Sequence, residues 1–164
     1  MTDSIELDEA TCRIITSRNL AVALWRDAPA IGQVTAVGRV GRGLRLKYQN
    51  GTVLTNVIVS GKANFSEEVR DEVARLYEAN HYALGACHAV LVGGLAGVAT
   101  RAFLGTMSLL RRSQTPSRVV GDLDMAARWV HERAIAGGEV WQVAEVRRFF
   151  DRAMAPRQTN QQVR

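Results

Sequence analysis

Apolar residues along this chain change their period several times, and each change marks an element. Residues 11–16 (TCRIIT) and 20–25 (LAVALW) are short apolar runs separated by Ser17, Arg18 and Asn19, which predicts a β-hairpin. After Pro29 the spacing becomes helical. Ile31, Val34, Val37, Val40 and Leu44 step by three and four, so residues 31–49 read as an amphipathic helix. Gly38, Gly41 and Gly43 weaken it, each by up to about 1 kcal/mol relative to alanine. Asn50-Gly51 breaks the pattern, and residues 52–60 (TVLTNVIVS) are β-branched and largely apolar, as expected of a central strand covered on both faces. Ser66 followed by Glu67 and Glu68 is a helix start: an oxygen that caps free amides, then acids near the positive end of the helix dipole. Val69, Val73, Leu76 and Tyr77 then form the buried stripe of a helix running to about Tyr82.

The alternation continues. Residues 86–92 (ACHAVLV) read as a second buried strand, and the glycine-rich residues 93–97 lead into a helix over 98–111 with Phe103, Met107 and Leu110 on one face. Residues 117–120 (SRVV) form a last short strand. Asp122 then caps a helix whose buried side is Leu123, Ala126, Ala127 and Val130, ending near Gly137-Gly138. Strands alternating with helices of this length imply right-handed crossovers and a mostly parallel sheet, with the hairpin adding antiparallel pairing. The predicted class is therefore α/β: a mixed sheet with helices packed on it and a further C-terminal helix. The expected organisation is an N-terminal tail over 1–10, a domain over 11–136, a helix within 137–154, and a polar, disordered tail over 155–164. In the C-terminal helix, Trp141, Phe149 and Phe150 either pack back on the domain or a twin subunit, or are offered to a protein partner.

Length and composition narrow the class. A chain of 164 residues is one domain of ordinary size, able to bury a core without disulfide or metal staples. No apolar run approaches the roughly 20 residues of a membrane span. Residues 1–9 are acidic and lack a basic, apolar leader pattern, so the expected location is the cytoplasm. Cys12 and Cys87 fall in apolar stretches and read as buried, reduced thiols. His81, His88 and His131 have no metal-ligand spacing, so neither a metal nor another cofactor is expected. The net charge of +5 is unevenly spread. No acid lies between Asp27 and Glu67, where Arg39, Arg42, Arg45, Lys47 and Lys62 stand, nor between Glu78 and Asp122, where Arg101, Arg111, Arg112 and Arg118 stand. Without interleaved aromatics these read as solvated faces, and a nucleic-acid partner is disfavoured.

Candidate chemistry is sparse. Gly93, Gly94 and Gly97, after a strand and before a helix, could present backbone amides to an anion, with Arg101 as counter-charge, although the sequence is neither GxGxxG nor a Walker turn. Cys87 and His88 are adjacent on a strand and point to opposite faces, so they are no nucleophile and base. Asp122 and Asp124 read as helix-start acids. No catalytic residue is assigned, and an enzyme is not expected.

The element order, together with Ser117-Arg118-Val119-Val120-Gly121-Asp122-Leu123-Asp124-Met125-Ala126-Ala127-Arg128-Trp129-Val130, resembles the STAS fold of bacterial anti-sigma-factor antagonists and their SpoIIAA-like relatives, over roughly residues 11–136. The resemblance implies a non-enzymatic regulatory or scaffolding module that works through protein contacts, including contacts with a second copy, and that is often switched by phosphorylation at the start of the helix after the central strand. At that place the chain offers Ser60 and Ser66, but no acid precedes Ser60, and Glu67 and Glu68 would repel a phosphate on Ser66. The first alternative is a protein holding a small anionic ligand, a nucleotide or lipid head group, at the Gly93 to Gly97 turn. The second is a basic nucleic-acid binder.

Overall fold

A computed structural model of the chain describes residues 3–60, 65–79, 83–110 and 115–156. Lys62, His81, Tyr82, Arg111, Arg112 and residues 157–164 of the expected tail lie outside the described residues, as do the side chains of Tyr77, Met107 and Leu110. The elements are β1 (Ser4–Asp8), β2 (Cys12–Ser17), β3 (Leu20–Trp25), α1 (Ile31–Lys47), β4 (Val53–Ile58), α2 (Glu67–Ala79), β5 (Gly85–Val90), α3 (Gly94–Leu110), β6 (Ser117–Val120), α4 (Leu123–Ala136) and α5 (Val143–Met154). The six strands form one mixed sheet in the order β1-β2-β3-β4-β5-β6. β1, β2 and β3 pair antiparallel, and β3 through β6 run parallel.

This layout follows from chain order and handedness. The parallel strands are laid side by side in sequence, so each right-handed crossover returns on the same face. α1, α2 and α3 therefore share one face, and α4 and α5, which follow the last strand, cover the other. The α/β class and the expected hairpin are present. Arg18, at a φ of 46°, and Asn19 form the two-residue turn between the paired Ser17 and Leu20.

Two boundaries differ from the sequence reading. Residues 4–8, expected within a tail, form the edge strand β1, pairing Ser4 with Thr16 and Asp8 with Arg13 across a bulge between Ile5 and Leu7. The acids of this segment hid it, yet Asp8 has a structural task. Both of its oxygens accept from the Arg13 guanidinium, at 3.0 and 3.2 Å, and Arg13, although only 6% exposed, also donates to the carbonyls of Ala153 and Ala155 at the end of α5. A cation there complements the negative end of the helix dipole. The second difference is α3, which begins at Gly94 rather than near Val98, so the glycine run is its first turn.

The α4/α5 face is densely filled. Trp141 is 4% exposed, and Phe149 and Phe150 are 0% exposed; they pack with Val146, with Ala126 and Val130 of α4, and with Val22, Val53 and Val57 of the sheet. The C-terminal segment therefore packs back on its own chain, and Trp141, Phe149 and Phe150, candidates for partner binding, present no surface to one. Asn19, fully buried, locks this arrangement. Its Nδ2 donates to the Ala134 carbonyl in the last turn of α4 at 3.1 Å, and its Oδ1 accepts from Trp141 Nε1 at 3.0 Å. Arg18 adds a guanidinium 3.9 Å above the Trp141 ring and an ion pair to Glu145 at 3.2 Å.

Replacing Asn19 removes two buried hydrogen bonds and strands the Trp141 N–H in an apolar layer. Asn19→Ala is expected to lower the urea-unfolding free energy by about 2–4 kcal/mol. A loss below about 0.5 kcal/mol, the level of an ordinary surface substitution, would show that the bonds do not hold α4 and α5 to the hairpin.

Candidate functional site

Strand β4 lies third from one edge of the six-stranded sheet, with helices over both faces, and should be buried throughout. Its exposure instead alternates: Val53, Thr55 and Val57, which face α4, are buried, while Leu54, Asn56 and Ile58 keep accessible surface. That surface lines a cavity of about 150 Å³ between the sheet and the layer of α1, α2 and α3. Trp25, Leu54, Asn56, Ile58, Ala86 and His88 form its floor. Val34 and Val37 of α1, Val73 and Leu76 of α2, and Thr100 and Phe103 of α3 supply its walls. Phe65, just before α2, stacks on Phe103 with ring centroids 5.0 Å apart. Asp27, Ala28, Ser60 and Arg70 are exposed and form a rim, which lies at the carboxyl ends of β3 and β4.

The sequence explains why this face is hollow. α1 turns Ala36 and Gly38 inward, and Gly38 lets α2 approach so closely that a β-carbon there would lie 2.2 Å from a Leu76 methyl group. α3 opens as GLAGVAT, with little side-chain volume. Floor residue Ala86 is small, and Asn56 and His88 are polar. Trp129, Trp141, Phe149 and Phe150 stand on the opposite face.

The floor carries one polar chain. Asn56 on β4 stands beside His88 on β5 in parallel register. Trp25 Nε1, which can only donate, gives its hydrogen to Asn56 Oδ1 at 2.9 Å. That fixes the amide, so Asn56 Nδ2 faces His88 Nδ1 at 3.4 Å. Nδ1 is thus the accepting nitrogen, and the imidazole proton sits on Nε2. Burial drives the His88 pKa down from 6.5 to about 4, so the ring is neutral at pH 7. The thiols are equally closed: burial is the main cause that pushes both Cys12 and Cys87 up to about 12, and both are free and buried.

The candidate switch and anion-binding residues lie apart from this floor. Ser60 is at the rim, where its hydroxyl donates to the Arg26 carbonyl. Ser66 is exposed and caps α2, accepting from the Val69 N–H at 3.3 Å, and Asp122 caps α4 in the same way through Met125 at 2.7 Å. Gly93, Gly94 and Gly97 do not line the cavity. Gly94 takes a left-handed φ of 62°, and a β-carbon on Gly97 would lie 1.8 Å from the Val92 carbonyl oxygen, so both glycines serve the tight strand-to-helix turn. Arg101 lies beside Gly97 with its guanidinium donating to the Val90 carbonyl at 3.3 Å. Arg39, Arg42, Arg45 and Lys47 are exposed along α1. Among the described residues no cluster of three or more His, Cys, Asp or Glu side chains could hold a metal ion, and no helix is long and apolar enough to cross a membrane.

His88 makes stability depend on pH. Below pH 6.5 the unfolded chain takes up a proton that the folded chain does not, so stability present above that pH is lost as pH falls toward about 4, of order 3 kcal/mol in all. His88→Gln should flatten the fall in urea-unfolding free energy between pH 7 and pH 4.5, whereas parallel curves for the two proteins would mean that the imidazole is protonated in the fold. No protein-family model, curated protein or solved structure matches the chain.

Proposed function

We propose that this protein binds a small, largely apolar molecule in the cavity between the sheet and the layer of α1, α2 and α3. The observation that carries this reading is the accessible floor of β4, where Leu54, Asn56 and Ile58 keep surface on a strand with helices over both faces. An empty cavity is costly: at about 24 cal/mol per Å³, about 150 Å³ amounts to 3–4 kcal/mol of lost packing. A ligand restores those contacts. An engineered apolar cavity of similar volume in another protein accepts benzene. The rim lies at the carboxyl ends of parallel strands, where open α/β sheets generally take ligands.

This reading moves the ligand away from the Gly93 to Gly97 turn and changes its character. Among the described residues the walls and floor carry no cation, and Arg70 stands at the rim, where its Nε donates to the Phe65 carbonyl at 3.0 Å. A second reading, the STAS-like regulatory module working through protein contacts, is favoured by one feature: Leu95 is 89% exposed and Val98 57% exposed near the start of α3. Under that reading the chain self-associates or captures a partner through this turn, and Leu95→Glu abolishes the contact without touching the cavity.

Toluene tests the first reading. At ten times its dissociation constant it should stabilise the protein by about 1.4 kcal/mol, a rise in Tm of roughly 3–5 °C for a domain of this size. Val73→Phe, which puts a ring into the cavity from α2, should abolish that rise while leaving the protein folded. A Tm that toluene does not move in either protein rejects the reading.

A further inference from the structure

We infer that Asn56 selects the ligand, and that the cavity takes an uncharged, single-ring molecule bearing a hydroxyl group, as in phenol. This rests on the proposed binding function and deepens it.

The size limit comes first. About 150 Å³ is the room of one substituted benzene ring, so extended chains and fused polycycles are too large to be enclosed. The walls favour an aromatic guest: Phe65 and Phe103 are stacked on one side, and Trp25 lies on the floor.

The polar requirement follows from the hydrogen-bond inventory of Asn56. A primary amide has two N–H donors and two acceptor lone pairs. Trp25 occupies one lone pair and His88 one N–H, which leaves one of each on a residue whose accessible surface lines the cavity. A hydroxyl satisfies either, accepting from Nδ2 or donating to Oδ1. A hydrocarbon satisfies neither, and leaving buried polar groups unpaired costs about 1–3 kcal/mol.

Charge is excluded by the same surroundings. The imidazole beside Asn56 is neutral at pH 7, and among the described residues no cation lines the floor. A carboxylate placed there would be an unpaired buried charge. A hydroxyl on the ring is the chemistry the floor completes.

Isothermal titration of the wild-type protein with toluene, phenol and benzoate tests the inference, together with the ¹H–¹⁵N resonances of the Asn56 side-chain amide. Phenol should bind roughly tenfold more tightly than toluene, benzoate should be the weakest, and phenol alone should shift the Asn56 amide protons. Asn56→Leu should erase the preference while toluene still binds. Because this variant also loses the bond to Trp25, the wild-type measurements decide the matter if it does not fold. Toluene and phenol binding equally, with the Asn56 amide unmoved, overturns the role of Asn56 but leaves the cavity reading intact. Benzoate binding as tightly as phenol moves the polar group to Arg70 at the rim and also overturns it. No binding by any of the three removes both readings.

Discussion

The buried amide of Asn19 joins the first hairpin to everything that follows the last strand. It sits at the turn between β2 and β3 and accepts from Trp141 while donating to the end of α4. Through those two bonds, and through Arg13 holding the end of α5, the C-terminal helix pair is fixed beneath the sheet. The aromatic mass of α5 follows it there. Phe149 and Phe150 are fully buried against the strands, so the α4/α5 face is a closed, dry layer on which the parallel strands rest.

A closed face on one side permits a looser one on the other. α1, α2 and α3 each cross over between neighbouring parallel strands and are fixed mainly by the strand ends they connect. Many of their inward residues are small or β-branched, among them Ala36 and Gly38 on α1, Val69 and Val73 on α2, and Thr100 on α3. Such helices cover a sheet without filling the space beneath them. The floor meanwhile carries Asn56 and His88, whose mutual hydrogen bond and the Trp25 indole fix their orientation in a water-poor site. Burial keeps the imidazole uncharged, so the site is polar without being ionic. A rigid floor, loosely filled walls and an oriented neutral amide are the physical basis for reading this face as a ligand site.

The architecture was largely legible in the sequence because it depends on period and punctuation. The step of three and four from Ile31 to Leu44, the TVLTNVIVS run and the Asp122 cap each correspond to the element they predicted. β1 was not legible, since SIELD holds as many acids as apolar residues and the buried Arg13 that pairs with Asp8 belongs to another strand. The fate of Trp141, Phe149 and Phe150 stayed open because an amphipathic stripe does not say which surface it will meet. The cavity was hidden for a different reason: it is what three helices fail to fill, and no single residue encodes an absence. One signal was present. Asn56 and His88 each stand fourth in a largely apolar strand, and strands paired in parallel at equal register bring such positions side by side.

The central claim is that the space between β4 and α2 is open in the folded protein. A crystal structure determined under xenon pressure tests it most directly, because xenon enters apolar cavities of this volume without needing a specific contact. The account predicts a xenon atom within van der Waals contact of Leu54, Val73 and Phe103. A crystal structure with these side chains packed against one another and no xenon between them would contradict it.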